Sequence, residues 1–207
     1  MHDITFHLDF VSPYSWLAFQ RLPEALQGLS LRVRYKPVLL GALLQHFSNP
    51  GPVGVAPKKA WTEQHARWLG HSLGCGLDYP PQFPFNSIPL LRLALTTSED
   101  GFINRYVAGT VLRHVWLGGL DPLAPERIEQ LTQSLADQWH PEGDAAAHAK
   151  NLLRANTDEA AARGVFGVPM FEVNGKHFWG LDGLPMLRAA LDGDAWFDGS
   201  AWLELPG

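Results

Sequence analysis

Strand patterns in this chain are confined to its two ends, and they almost vanish between about residues 41 and 160. Residues 4–10 and residues 31–37 alternate apolar with polar side chains, so each run predicts a strand. Between these runs, Ser12 and Pro13 mark the start of a helix, because serine is a favoured N-cap and proline fits the first helical turn. The chain therefore opens with a strand, a helix and a strand.

The closing segment predicts a helix, a hairpin and a second helix. The alanine-rich stretch over about residues 142–163 is typical of a helix. Asn174-Gly175 then separates the runs MFEV and KHFW, and both central positions of a type I′ turn require positive φ. The last helix follows Asp182, which marks its start. The order at this end is helix, strand, strand, helix.

The region between the two ends predicts helices alone. Apolar residues recur there at helical spacing in four stretches, and proline-rich segments separate them. The predicted helices cover residues 61–73, residues 88–95 after Ser87, residues 102–111 after Asp100, and residues 128–135.

The complete order of elements is βαβ followed by αββα, with the helical block between them. This order is the one found in thioredoxin-like folds. We therefore predict an α/β protein with a thioredoxin-like fold (βαβ + αββα) and a large all-helical insertion. Residues 1–40 and 160–207 would form the discontinuous thioredoxin-like domain, and residues 41–159 would form the insertion domain.

Composition and charge narrow the class of partner. The chain has 207 residues, of which 46% are hydrophobic, and it is long enough to bury a sizeable core. Its formal net charge of −5 comes without any long charged run, so we expect neither nucleic acid nor a membrane surface as a partner. The start MHDITFHLDF lacks the pattern of a signal peptide, and no apolar segment approaches the roughly 20 residues that span a bilayer, so we expect a cytoplasmic protein.

The stretch SPYS at the first helix start has the spacing of a thiol redox centre, but Ser12 and Ser15 stand where the cysteines would be. Cys75 is the only cysteine, which excludes an internal disulfide, and we expect it to be a small core residue. Sulfur chemistry at Ser12 would need a thiol from another molecule. A helix N-terminus supplies about 0.3–1 kcal/mol to a thiolate and a hydroxyl donor about 1.5–3 kcal/mol, and together they reach the roughly 2 kcal/mol that lowers a thiol pKa from about 8.5 to about 7.

Three stretches together carry a resemblance to a known family. LDFVSPYSWLAF near the start, RGVFGVPMF far downstream and FWGLD after it resemble the 2-hydroxychromene-2-carboxylate isomerases and the kappa-class glutathione transferases, relatives of the DsbA-like oxidoreductases. The resemblance runs over nearly the whole chain, including APKKAW and FPFNS in the helical block. It implies that Ser12 replaces the first cysteine of the redox motif and that glutathione supplies the sulfur.

The resemblance also implies which residues bind glutathione. Pro169 would be a cis-proline that leaves the backbone of Val168 free to pair with the cysteinyl part of glutathione. The backbone of Leu181 and the carboxylate of Asp182 would hold the γ-glutamyl end. Asn49 and Lys59 would hold the glycyl end.

Each of these residues also has an ordinary structural interpretation. Ser12 and Asp182 can be simple N-caps, and Pro169 can be a proline at a strand edge. Lys59 can be a solvated residue at a helix start. Many relatives have an arginine at the position of Gly183 and an aromatic residue at the position of Thr62, which affects the expected glutathione contacts.

Phe85, Asn86 and Trp116 are candidates for the wall of an aromatic substrate pocket, although core packing is the better interpretation for Phe85 and Trp116. His65 and His71 are six residues apart, so they do not share a helix face at the spacing of a zinc site, and we predict no metal. No nucleotide-binding loop is present in the sequence.

The resemblance implies a glutathione-dependent isomerase that interconverts 2-hydroxychromene-2-carboxylate and trans-o-hydroxybenzylidenepyruvate in bacterial aromatic degradation. It also implies a small aromatic substrate and a homodimer. A kappa-like glutathione transferase is the nearest alternative. A glutathione-binding protein without catalysis is the second.

Overall fold

A computed structural model describes residues 1–199 and Trp202, so the predicted domain end at residue 207 lies outside the described residues. This part of the chain has four strands and eight α-helices. They are β1 (His2–Leu8), α1 (Pro13–Ala25), β2 (Leu31–Pro37), α2 (Leu40–His46), α3 (Ala56–Ser72), α4 (Ile88–Leu95), α5 (Arg105–Trp116), α6 (Pro125–Ser134), α7 (Ala145–Ala162), β3 (Met170–Val173), β4 (Lys176–Trp179) and α8 (Leu184–Leu191).

The four strands form one mixed sheet in the order β2-β1-β3-β4. β1 and β2 are parallel and α1 connects them, while β3 runs antiparallel to both β1 and β4. All the helices between β2 and β3 belong to the long middle segment. The predicted thioredoxin-like fold with an inserted helical block is therefore confirmed.

Several predicted boundaries are wrong, including those of β1, α5 and α8. β1 ends at Leu8, and Phe10 lies in the turn that leads to α1. α5 begins at Arg105, not after Asp100, because the Ile103 backbone N–H donates to Tyr35 O (2.9 Å) and holds that stretch against β2. α8 begins at Leu184, and no side chain caps it.

The sheet and the inserted helices share one apolar core. Phe6 of β1 and Phe171 of β3 pack with a ring-centroid distance of 4.6 Å on the face that α1 covers. The same core includes buried residues of α3, α4, α5, α6 and α7. Two buried tryptophans tie it together through their indole N–H groups, since Trp16 donates to Gly76 O (2.8 Å) and Trp116 donates to Phe10 O (3.0 Å). The two predicted domains are thus joined by continuous packing.

The opposite face of the sheet buries a polar cluster beneath α7. His7 of β1 lies 3.2 Å from the Glu172 carboxylate through its Nε2, and Lys36 of β2 donates to Glu159 of α7 (2.6 Å). Arg163 also pairs with Glu172. Burial lowers the pKa of His7 to about 3, so its ring is neutral and donates through Nε2. The pairs Lys36–Glu159 and Arg163–Glu172 compensate buried charges that would otherwise destabilise the fold.

Within the described residues, none of the helices combines the length and the apolar character that crossing a membrane requires.

The hairpin gives a direct test of backbone conformation. Gly175 has φ of +74°, and no atom lies within 4 Å of the place that a Cβ would take, so a side chain there meets backbone strain without a clash. We expect Gly175→Val to lower the free energy of unfolding by about 1–2 kcal/mol. Gly41 in α2 is equally open but has an ordinary helical conformation, so Gly41→Ala should raise it by about 0.5–1 kcal/mol. Urea denaturation measures both, and equal effects of the two changes would contradict the strain argument.

Candidate functional site

Ser12 occupies the N-cap of α1, as its position before Pro13 predicts. Its backbone is extended (φ −88°, ψ 115°), and its Oγ accepts a hydrogen bond from Ser15 N (3.2 Å). The residue is only 5% exposed. The hydroxyl therefore lies beside the unpaired N–H groups and the positive end of the α1 dipole.

The second predicted motif meets the first at this hydroxyl. The Val168–Pro169 peptide bond is cis, as the resemblance implies. The Ser12 Oγ donates to Val168 O at 3.4 Å, a long hydrogen bond between residues 156 positions apart. Pro169 O accepts from Gly180 N (2.9 Å), which joins this segment to the end of β4. The N-terminus of α1 and the backbone before β3 thus form one edge of a candidate site.

The segment before α8 lies on the same side of the molecule. Asp182 is exposed and does not cap α8, so the N-cap interpretation of this residue is wrong. Burial raises the pKa of the Tyr14 hydroxyl, and the nearby charge of the Asp182 carboxylate raises it further. Asp182 is therefore an accessible acid facing the SPYS stretch. Leu181 beside it is half-buried.

Gly183 is tightly packed against the end of β4. A Cβ at this position would lie 2.6 Å from Trp179 O and 3.0 Å from Trp179 N. No larger side chain fits here without moving the end of β4. The structure offers no comparable explanation for Thr62.

The two residues predicted for the glycyl end of glutathione are accessible, but no hydrogen bond among the described residues joins them to Ser12. Asn49 is exposed, and its Oδ1 accepts from Gly51 N (2.9 Å). Lys59 is in the first turn of α3, with its Nζ 3.9 Å from Glu63 Oε1. The lysine side chain is 38% exposed and remains available to an anion.

The three candidates for a substrate wall differ in exposure. Trp116 is fully buried, and its ring packs edge-on against Tyr79 and Phe83. Phe85 is half-buried against the core. Asn86 is exposed, and its Oδ1 accepts from Ile88 N (3.1 Å). Asn86 alone presents a polar group to solvent, while Trp116 shapes the core behind Phe10.

Two further features near Ser12 have no signal in the sequence pattern. The Tyr14 hydroxyl lies 2.9 Å from His65 Nδ1 on α3, and His65 stacks on Trp61 with ring centroids 4.5 Å apart. Trp61 is 60% exposed, so an aromatic surface begins directly beside the SPYS stretch. Spacing along α3 shows that Trp61 and His65 share a face, but not which helix that face meets.

Asp9 is the second such feature, and it is fully buried. Its Oδ1 accepts from Val11 N (3.1 Å) and its Oδ2 from Leu40 N (2.9 Å). Burial raises the pKa of this carboxyl to about 6, although the hydrogen bonds from Leu40 N and Val11 N and the nearby Ser87 hydroxyl oppose the shift. In sequence Asp9 reads as one more polar residue of an alternating strand.

The described residues contain no group of three or more histidine, cysteine, aspartate or glutamate side chains arranged to hold a metal ion. Cys75 is half-buried, and its Sγ lies 3.9 Å from Gly70 O. Burial raises the pKa of this thiol, which makes it a poor nucleophile.

Comparisons with a family profile and with known proteins agree on one family. The profile of the DSBA-like thioredoxin domain matches residues 3–192. A 2-hydroxychromene-2-carboxylate isomerase of Sphingobium xenophagum is 27% identical over 197 residues, covering 91% of this chain and 97% of that protein. The glutathione S-transferase kappa 2 of Caenorhabditis elegans is 24% identical over 201 residues, covering 89% of each.

A solved structure of a 2-hydroxychromene-2-carboxylate isomerase shares the fold. It superimposes with a TM-score of 0.75 at 24% identity, covering 98% of this chain and all of that one.

The N-cap role of Ser12 can be measured without any ligand. We expect Ser12→Ala to lower the free energy of unfolding by about 1 kcal/mol, because the N–H of Ser15 loses its acceptor, and Ser12→Gly to lower it by only a few tenths. Ser15→Ala is the matched control, since the Ser15 hydroxyl is buried without a hydrogen-bond partner among the described residues. Denaturant unfolding measures all three, and a larger loss for Ser15→Ala than for Ser12→Ala would contradict the assignment of the cap.

Proposed function

Because the chain belongs to the DSBA-like thioredoxin domain family, we propose that it is a glutathione-dependent isomerase that interconverts 2-hydroxychromene-2-carboxylate and trans-o-hydroxybenzylidenepyruvate. The observation that carries the proposal is the Ser12 hydroxyl, which stands at the N-terminus of α1 and 3.4 Å from the Val168 carbonyl. The isomerases among the relatives support the choice of reaction.

The donors and acceptors around Ser12 match the groups of glutathione. The helix N-terminus and the Ser12 hydroxyl suit a thiolate, and the backbone of Val168 suits the cysteinyl peptide group. The Lys59 ammonium suits the glycyl carboxylate, and the accessible Asp182 carboxylate suits the γ-glutamyl ammonium. The residues present therefore fit this cofactor in charge and hydrogen-bonding type.

Bound glutathione would supply a thiolate that adds reversibly to the conjugated alkene of the substrate, so that the double bond becomes a single bond able to rotate before elimination. Ser12 would stabilise this thiolate by turning its hydroxyl proton away from Val168 O. The existing 3.4 Å hydrogen bond is long, so exchanging it for a charged acceptor is favourable. Val168 O would then be free to accept from a peptide N–H of glutathione.

The α1 dipole and the Ser12 hydroxyl favour the anionic sulfur in both addition and elimination. The addition and the elimination together involve no net oxidation or reduction, and glutathione is regenerated. Asn86 and Phe85 are the residues we propose for contact with the aromatic acceptor, with Trp116 packed behind them. Tyr14 and Trp61 offer further aromatic surface at the same edge.

A kappa-like glutathione transferase is the second candidate, favoured by the similarity to the kappa 2 transferase. In that case the thioether would be released instead of reverting to an alkene. We also propose a homodimer and a role in aromatic catabolism, both on the basis of the family resemblance. A cytoplasmic location accompanies the proposal, since the cytosol holds a reducing glutathione pool.

Ser12→Ala tests the proposed chemistry. Loss of one hydrogen bond to a charged group should lower kcat/KM for isomerisation by about 10- to 100-fold, whereas Ser15→Ala should leave it unchanged. Calorimetric titration should show that reduced glutathione binds more tightly than S-methylglutathione, which has no ionisable thiol. Full turnover in Ser12→Ala would contradict the thiolate role.

Product analysis separates the alternatives in the same assay. Recovery of free glutathione with the trans isomer means an isomerase, and accumulation of a thioether means a transferase. Glutathione binding without turnover of any electrophilic alkene would mean a binding protein.

Truncated ligands test the assignment of the two charged residues. Lys59→Gln should weaken glutathione binding by about fivefold but leave γ-glutamylcysteine unaffected, because that ligand lacks the glycyl carboxylate. Asp182→Asn should weaken glutathione binding to a similar extent but leave cysteinylglycine unaffected. Lys58→Gln is the matched control, since Lys58 is an exposed neighbour on α3. Equal losses for full-length and truncated ligands would contradict both assignments.

A further inference from the structure

Three helix N-termini converge on the buried carboxyl group of Asp9. Val11, whose N–H bonds Oδ1, directly precedes the N-cap of α1. Leu40, whose N–H bonds Oδ2, is the first residue of α2. Ser87, the N-cap of α4, is 4% exposed, and its hydroxyl lies near enough to this carboxyl to favour the ionised form. One side chain is thus hydrogen-bonded at the starts of α1 and α2 and lies near the start of α4.

The backbone of Asp9 contributes a fourth contact. Ser12 N donates to Asp9 O (3.1 Å), which closes the turn between β1 and α1. The side chain of Asp9 supports the same turn through Val11 N, so the position of the Ser12 hydroxyl depends on Asp9 from both sides.

The other two contacts reach the proposed binding residues. Leu40 begins the segment that leads to Asn49 and Lys59, and Ser87 directly follows Phe85 and Asn86. The carboxyl group therefore connects Ser12 with both proposed binding segments.

We propose that Asp9 is the positioning residue of the Ser12 site: its ionised carboxylate holds the starts of α1, α2 and α4 in the arrangement that binds glutathione and the acceptor. The catalytic part of this inference rests on the proposed function. Asp9 itself touches neither ligand in this proposal and acts through Ser12 and the two segments.

The charge state matters because of what faces the carboxyl group. A carboxylate accepts from the two backbone N–H groups, and the Ser87 hydroxyl nearby also favours the charged form. In a protonated carboxyl the oxygen that carries the proton is a much weaker acceptor, so the backbone hydrogen bond to that oxygen is weakened. Burial and these hydrogen bonds are the main influences on its ionisation, and the helix N-termini favour the charged form.

The sign of the pH dependence follows from a carboxyl whose pKa is raised to about 6. Above that pH the carboxylate accepts strongly at the starts of α1 and α2, and below it one of these hydrogen bonds is weakened. Activity should therefore rise with pH through about 6. Folding stability should change in the opposite direction, because the folded state binds this proton more tightly than the unfolded chain does, and the advantage fades as pH rises from about 4 to about 6.

Asp9→Asn tests the proposal. The amide has one acceptor oxygen, so the variant resembles the protonated state at every pH. We expect kcat/KM at pH 7.5 to fall by about 10- to 100-fold, and the acidic limb near pH 6 to disappear from the pH profile. Persistence of that limb at the same pH in Asp9→Asn would overturn the proposal.

Thr157→Val is the matched control. Thr157 Oγ1 accepts from Leu39 N (3.0 Å), so the change removes a hydrogen bond at the same start of α2 without touching the Ser12 turn. The control should unfold more easily but keep the wild-type pH profile and kcat/KM. If it lost as much activity as Asp9→Asn, loosening of α2 alone would explain the effect and the proposal would be wrong.

An NMR titration of the wild-type protein keeps the test independent of variant folding and of glutathione. The amide shifts of Val11 and Leu40 should titrate together near pH 6, and hydrogen-exchange protection of the Ser12 amide should fall below that pH. If wild-type protein binds no glutathione, the proposed function fails while this titration still decides the role of Asp9. Different titration midpoints for the Val11 and Leu40 amides, or unchanged exchange protection of the Ser12 amide below pH 6, would overturn the proposal.

Discussion

The pairing of β1 with β3 is the constraint on which the rest of the molecule depends. Phe6 pairs with Phe171 across this ladder, so the chain must close a loop of more than 150 residues to form it. That closure carries a substantial entropy cost, and it is offset by the apolar core that the sheet shares with the inserted helices. The pairing of β1 with β3 also places Val168 beside Ser12. The candidate site therefore depends on the strand pairing with the largest separation in sequence.

The buried ionisable groups at β1 lie in two different surroundings. Beneath α7, neutral His7 is hydrogen-bonded to Glu172, whose charge pairs with Arg163, and burial and the nearby charge of Lys36 keep the histidine uncharged. Asp9 instead faces helix N-termini and lacks a cationic partner among its hydrogen bonds. Its raised pKa of about 6 corresponds to about 3 kcal/mol of stability that the fold gives up when Asp9 ionises. Strongly shifted pKa values of this kind cluster at functional sites.

Local patterns predicted the parts of the structure that local rules control. Ser12 before Pro13 identified the N-cap, and Asn174-Gly175 identified the hairpin, because cap and turn chemistry act over a few residues. The start of α5 escaped prediction, since a single long-range pairing with Tyr35 decides it. Asp9 escaped for a similar reason: alternation in a strand cannot reveal which polar side chain is enclosed by three other elements. The cis bond before Pro169 came from family resemblance, not from the residues themselves.

The core that runs from the sheet into the inserted helices limits how this protein can be re-engineered. Residues of α5 pack directly on α1 and against the segment that ends at Phe10, and Trp116 is hydrogen-bonded to that segment. The helical block therefore cannot be exchanged for that of a relative as a self-contained module. A chimera would need to carry the matching surfaces of α1 and β1 as well, because the two parts should melt in one cooperative step.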